Sequence, residues 1–157
     1  MSRLSRAADY SRLSLASAAT LAVAGGSPGR RAAKLGLASV AVTATVVNLA
    51  LKPLGRRRRP DRTAQEVPVA RHVRMPISSS FPSGHSAAAF AFATGVAHTS
   101  HLAAVPLYGL GMVVAYSRVH TGVHYPGDVI AGSLLGVVLA QATANLTERV
   151  RGDRARP

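Results

Sequence analysis

The chain reads as an all-α integral membrane helix bundle of four to five transmembrane helices, forming a single domain over residues 1–157. Three observations predict it. Apolar residues make up 48% of the chain and charged ones only 16%. They fall in blocks dominated by Ala, Val, Leu and Gly, which suits helices packed through small residues in a membrane and not soluble helices with one polar face each. The ionisable side chains gather between those blocks, above all from Ser117 to Asp128, where groups beside membrane-grade segments are costly to keep without a function.

In chain order, residues 1–12 are polar and basic (Arg3, Arg6, Arg12) and are expected at a membrane surface. No secretory signal is read there, because the apolar run that follows has no clear cleavage site. Leu13 to Gly26 falls short of the ~20 residues of a full crossing, so it is a short tilted span or a re-entrant or interfacial helix. Ser27-Pro28-Gly29 is expected to break it, and Leu35 to Leu51 forms a better span, extendable through Ala32 and Ala33.

Residues 52–82 form the one long polar connection, with prolines at 53, 60, 68, 76 and 82 arguing against a continuous helix. A connection of that length is commonly functional. Ser83-Gly84-His85-Ser86 starts a helix over Ala87–Ala97, and His98 to His101 is a polar turn. Leu102 to Tyr116 is the next span and Val129 to Ala144 the last, with Gly132 and Gly136 four apart as a packing face. Residues 145–157 read as a frayed basic tail.

The net charge of +13 raises nucleic acid as a partner, but interleaved aromatics and any recognition module are missing. Basic loops beside apolar spans instead contact anionic lipid headgroups or set topology. With no cysteine there is no disulfide framework and no thiolate metal site.

The stretch Ser117 to Asp128 holds Arg118, His120, His124 and Asp128. On a helix, His124 and Asp128 would share a face, and a carboxylate that orients an imidazole is the pairing that activates a nucleophilic or basic histidine. Arg118 adds a planar donor fork for phosphate oxygens. If the helices alternate in direction, this cluster shares a membrane face with Lys52 and the arginine run (Arg56 to Arg59), and with Pro82-Ser83-Gly84-His85. Lys52, Arg59 and Arg118 would then supply charge to a phosphoryl group, and the helix start at Ser83 and Gly84 would supply N–H groups favouring an anion. His124 would attack phosphorus while His85 donates a proton to the leaving oxygen.

Lys52-x6-Arg59-Pro60, Pro82-Ser83-Gly84-His85 and Ser117-Arg118-x5-His124-x3-Asp128 together resemble the three-part signature of the type 2 phosphatidic acid phosphatase (PAP2) superfamily. The resemblance covers roughly residues 35–145. It implies a phosphatase in which His124 forms a phosphohistidine, Asp128 is its partner and His85 is the general acid. Lys52, Arg59, Ser83, Gly84 and Arg118 would hold the phosphate. It implies no cofactor and no metal, and an active site similar to that of vanadium-dependent haloperoxidases. Membrane members have six helices, whereas only one or two precede the first motif here, which leaves room for partner subunits, including a homo-oligomer, to complete the lipid entry site.

The compact Ala- and Arg-rich chain also resembles small actinobacterial members of the superfamily, which ranks decaprenylphosphoryl-5-phosphoribose first as substrate. Other prenyl (pyro)phosphates come next, then phosphatidic acid or phosphatidylglycerophosphate. A reading from another class is a non-catalytic protein that binds anionic lipids through its basic loop, for which His124 would be dispensable.

Blander roles are expected elsewhere. Arg56, Arg57 and Arg58 read as a solvated charge run, His72 as a loop residue, His98 and His101 as a polar turn, and Tyr116 and Tyr125 as interface anchors. His120 is read as a second contact near the site. On a four-span count, setting aside Lys52, Arg59 and Arg118, six basic residues lie on the site's side and ten opposite. The positive-inside rule then puts the site at the extracytoplasmic face of the cell membrane.

Overall fold

The computed structural model describes residues 12–154, all of them helical or in connections. Helix α1 (Arg12–Ala24) turns at Gly25 into α2 (Gly26–Thr45), which runs on through a π-helical stretch (Val46–Leu51) and a last turn (Lys52–Gly55). A long connection with one 3₁₀ turn (Val69–Arg71) leads to α3 (Gly84–Ala97), α4 (His101–His120) and α5 (Pro126–Arg154).

The break between the first two helices falls at Gly25 and Gly26, where φ of +57° at Gly26 reverses the chain. Ser27-Pro28-Gly29, expected to be the breaker, forms the first turn of α2 instead. Proline is tolerated there because the first N–H groups of a helix have no intrahelical acceptor. A Cβ on Gly29 would collide with the Leu21 carbonyl, so glycine is what lets α2 fold back against α1.

Helix α3 is the hub, packing against α2, α4 and α5. Its buried residues are mostly small: Ala87, Ala91 and Ala93 lie beside Phe92 and Val96. Backbones therefore meet directly. A Cβ on Gly95 would stand 2.8 Å from the Gly36 Cα of α2, and Cβ atoms on Gly132 and Gly136 of α5 would clash with the carbonyls of Ser83 and Ala87. The expected packing face on the last helix is thus turned onto α3. Close approach through small residues is how helices associate where lipid removes the hydrophobic drive. Between α3 and α4, the Thr94 and Tyr108 hydroxyls meet at 2.9 Å.

The outward faces are apolar. Ile130, Leu134 and Val138 recur every four residues along α5, each about 60% exposed, and Leu102, Val105 and Met112 stand exposed on α4. Such faces fit lipid, not water.

Among the described residues, three helices are long and apolar enough to cross a membrane: Gly26–Gly55, His101–His120 and Pro126–Arg151. The expected count of four to five is corrected accordingly. It relied on α1 and α3, which have 13 and 14 residues, about 20 Å at 1.5 Å per residue against a ~30 Å hydrocarbon core. Helix α3 gains its place from packing inside the bundle, whereas α1 lies along α2 and buries Ser14 and Ala18. The basic segment after Ala144 is also not frayed as far as Arg154, since α5 continues through it. Residues 1–11 and 155–157, including the surface placement expected for Arg3 and Arg6, lie outside the described residues.

Candidate active site

The polar connection folds back over the ends of α2, α3 and α4 and is braced on itself. The Ser80 N–H donates to the Arg57 carbonyl at 2.9 Å, and the Arg57 N–H donates to Ser79 Oγ at 3.2 Å. Arg59 is held more fully. Its Nε donates to the Ser78 carbonyl at 3.0 Å and its Nη2 to Ser78 Oγ and the Ser79 carbonyl, both at 3.3 Å. Nη1 donates to the Val123 carbonyl at 3.0 Å and lies 3.2 Å from His124 Nε2. A guanidinium has only donors, so this contact makes Nε2 the bare, lone-pair nitrogen and leaves the ring proton on Nδ1.

That Nδ1 is buried and stands 3.6 Å from Asp128 Oδ2. Both residues lie where α4 ends and α5 begins, but they do not share a helix face as the four-residue spacing suggested. His124 precedes α5, and the two are brought together by the cap of that helix. Tyr125 N–H donates to Asp128 Oδ2 at 2.9 Å while the Asp128 N–H donates to the Tyr125 carbonyl at 3.0 Å, which is the return half of a capping box. Asp128 is wholly buried. Its Oδ2 also accepts from Ser80 Oγ, and its Oδ1 accepts from Arg57 Nη1 at 2.9 Å.

Arg118, in the last turn of α4, is 1% exposed, and its carbonyl accepts from the N–H groups of Val123 (3.0 Å) and His124 (3.2 Å). The same loop carries Gly122 at φ +63°, where a Cβ would press on Val67.

At the start of α3, Ser83 is the N-cap, its Oγ accepting from the Ser86 N–H at 3.4 Å and meeting Ser86 Oγ at 3.0 Å. Its own N–H donates to the Asp128 carbonyl at 2.9 Å. Ser83 therefore ties α3 to α5, its N–H, expected to serve an anion, donating here to the Asp128 carbonyl. The next residues, Gly84 and His85, open the helix. A Cβ at Gly84 would lie in ordinary contact, 3.4 Å from Lys52 Nζ, which places the ammonium beside the helix N-terminus.

The result is one constellation of His124, Asp128, His85, Lys52, Arg59, Gly84 and Arg118 from three helix ends and a loop. Burial first, then Arg118, lowers Arg59 to about 10, which leaves it cationic at neutral pH. Burial, with the Arg59 and Arg118 guanidinium groups beside it, pushes the His124 imidazole well below its usual range despite the opposing pull of Asp128. The His85 ring adds to that lowering. A cleft of about 500 Å³ next to the constellation is lined by Lys52 and Arg56 through Arg59 on one side and by Met75 to Ser79 on the other. A second, of about 550 Å³, lies at the opposite end of the bundle among Arg31, Lys34, His98, Glu148 and Arg151.

Two residues were hidden in the sequence. Arg57, expected to be solvated, reaches Asp128 and lies with its guanidinium carbon 4.3 Å over the Tyr125 ring. Ser80 was indistinguishable from Ser78 and Ser79. Neither has a periodicity or spacing of its own. His120 turns away to Tyr116, whose hydroxyl is 3.4 Å from its Nδ1, and His98 meets Gln141 Oε1 at 3.1 Å. Among the described residues, no group of three or more His, Cys, Asp or Glu is placed to hold a metal ion.

A helix bundle with three membrane-length apolar helices and a buried His–Asp pair ringed by cations at one end defines the class: a membrane protein built like a phosphate-handling enzyme. The chain belongs to the PAP2 superfamily, matching it over residues 33–151. It is 34% identical over 129 residues to decaprenylphosphoryl-5-phosphoribose phosphatase of Mycobacterium tuberculosis, covering 82% of this chain and 67% of that protein. A shorter likeness, 43% over 65 residues, links it to an undecaprenyl-diphosphatase of Sulfolobus acidocaldarius, over 39% of this chain and 30% of that one. Among solved structures, LpxE of Aquifex aeolicus superposes with a TM-score of 0.70 at 22% identity, over 91% of this chain and 82% of its own. A PAP2-type phosphatidylglycerolphosphate phosphatase of Bacillus subtilis superposes at 0.66 and 24% identity, over 94% and 75%. At these identities the two structures establish the fold.

Proposed function

We propose that this protein is a membrane lipid phosphate phosphatase that works through a phosphohistidine on His124. The observation that carries the reading is the 3.2 Å contact between Arg59 Nη1 and His124 Nε2. It turns the lone pair of a buried, neutral imidazole toward the cations suited to a phosphoryl group. An entering phosphate inserts between them and takes over the Arg59 donor, with Lys52, Arg118 and the N-terminus of α3 on its remaining oxygens.

The Nε2 lone pair then forms the N–P bond as the P–O bond to the lipid alcohol breaks. His85 protonates the leaving oxygen, then takes a proton from the water that cleaves the N–P bond, giving inorganic phosphate and free His124. Asp128 stabilises the imidazolium that forms. Preorganised donors around the equatorial oxygens supply most of the acceleration.

For the substrate, the likeness to decaprenylphosphoryl-5-phosphoribose phosphatase supports a prenyl-linked phosphomonoester. The shorter likeness to an undecaprenyl-diphosphatase keeps a prenyl diphosphate as the next choice. Anionic lipids surround the protein in this reading, and the site faces the extracytoplasmic side.

The test is phosphate release by purified protein in detergent with EDTA present. The panel holds a prenyl-phosphoribose phosphate, a prenyl diphosphate, phosphatidic acid and phosphatidylglycerophosphate, with His124→Ala as control. Release from one class, lost in the variant, is the expected result. No release from any lipid by folded protein would overturn the reading.

A further inference from the structure

We propose that Arg57 is the positioning residue of this site, fixing Asp128 so that its Oδ2 edge faces His124. The inference rests on the phosphatase reading above. Asp128 is fully buried and its carboxylate is gripped from three directions. Arg57 Nη1 donates to Oδ1 at 2.9 Å, Tyr125 N–H donates to Oδ2 at 2.9 Å, and Ser80 Oγ donates to the same oxygen. Among these three donors Arg57 carries the charge, and it is the one that holds Oδ1.

The arginine is itself held. Its guanidinium lies 4.3 Å over the Tyr125 ring, a cation–π contact with the residue that caps α5. Its main chain is tied at both polar groups to the 79–80 segment, its carbonyl accepting from Ser80 N–H and its N–H donating to Ser79 Oγ. The side chains of Arg57 and Ser80 therefore reach Asp128 from one braced piece of loop. Arg56, in the left-handed region at φ +37°, sets the turn from which Arg57 departs.

A buried carboxylate stripped of a charged donor is costly to keep in place. Without Arg57, Asp128 loses the anchor on Oδ1 and the orientation that presents Oδ2 to His124 Nδ1 at 3.6 Å. Arg57 also borders the cleft beside the site, so the rival assignment is a direct hold on the substrate phosphate. The two differ in what they change. A positioning residue alters the chemical step through Asp128, whereas a phosphate ligand alters binding.

The test measures kcat and KM for Arg57→Gln and Arg57→Lys on the lipid the wild type hydrolyses, together with inhibition by inorganic phosphate. Arg71→Gln, on an exposed 3₁₀ turn, serves as the charge control. For Arg57→Gln, kcat falls about tenfold or more, while KM and the phosphate inhibition constant stay within about twofold. Arg57→Lys recovers part of the loss, and Arg71→Gln changes neither constant. In a background of Asp128→Asn, Arg57→Gln costs no further residual activity, because its target is gone.

A rise in KM and in the phosphate inhibition constant with kcat preserved would overturn the assignment in favour of a phosphate ligand, and unchanged kinetics would return Arg57 to a solvated charge. Loss in Arg57→Gln accompanied by a collapsed unfolding transition, with Arg57→Lys no better, would also overturn it. Absence of release by the wild type would sink the phosphatase reading and this one together, whereas with a wild type that releases phosphate the outcome bears on Arg57 alone.

Discussion

At His124, one nitrogen is claimed by Arg59 and the other faces Asp128, and every nearby cation opposes protonation of the ring. A depressed imidazole suits a nucleophile, because the lone pair stays available at and below neutral pH. Replacing His124 by Ala should lower phosphate release by about a thousandfold or more, and Asp128→Asn by about a hundredfold, both in protein with an unchanged unfolding transition. The lowering has a thermodynamic counterpart. The unfolded chain takes up the His124 proton near the ordinary ~6.5, before the folded chain does. The associated stability is therefore complete above about pH 6.5 and declines as pH falls through that value. The Tm in detergent should drop between pH 7 and 5, and His124→Gln should flatten part of that drop; parallel curves for the two proteins would contradict it. The candidate groups that gather at the site were legible in the sequence because few residue types suit the proposed chemistry and their spacings are characteristic. Arg57 and Ser80 were not, because four consecutive arginines and three consecutive serines carry no mark that singles out the one aimed inward.

Helix α3 shows how packing places that chemistry. Its N-terminus bears Gly84 and His85, and it is held in register by α5 at Gly132 and Gly136 and by the Ser83 N–H on the Asp128 carbonyl. Gly136→Leu forces a side chain into the Ala87 carbonyl and should destabilise the bundle by about 1–3 kcal/mol or more, read as a lower Tm with a parallel loss of activity. Gly109→Ala meets nothing within 4 Å and should be neutral or stabilising by up to about 1 kcal/mol. Equal effects of the two substitutions would rule out small-residue packing as what holds α3 on α5. The Gly132 and Gly136 face was readable from spacing. The turn at Gly25 and Gly26 was not, since Ser27-Pro28-Gly29 is the stronger local breaker and only the register of α1 on α2 decides between them. Length misled in the same way: the runs of α1 and α3 read as spans, yet each helix is short, with α3 enclosed by its neighbours and α1 laid along α2.

For the molecule as a whole, the site occupies one end of the bundle and the turn of His98 to Ser100 lies at the other, with α3 running between. The proposed orientation puts the first end outside the cell. The chain has no cysteine, so Ile77→Cys in the site's loop and Thr99→Cys at the far turn report each face without background. A membrane-impermeant maleimide applied to intact cells should label the first and spare the second; the reverse pattern would place the chemistry at the cytoplasmic face. Passage of phosphate through His124 can be watched by acid-free quenching of the wild type during turnover of a labelled lipid phosphate. An acid-labile, base-stable phosphate should map to His124 and disappear in His124→Ala. Steady release of phosphate with no label on His124, or release undiminished in His124→Ala, would contradict the phosphohistidine mechanism.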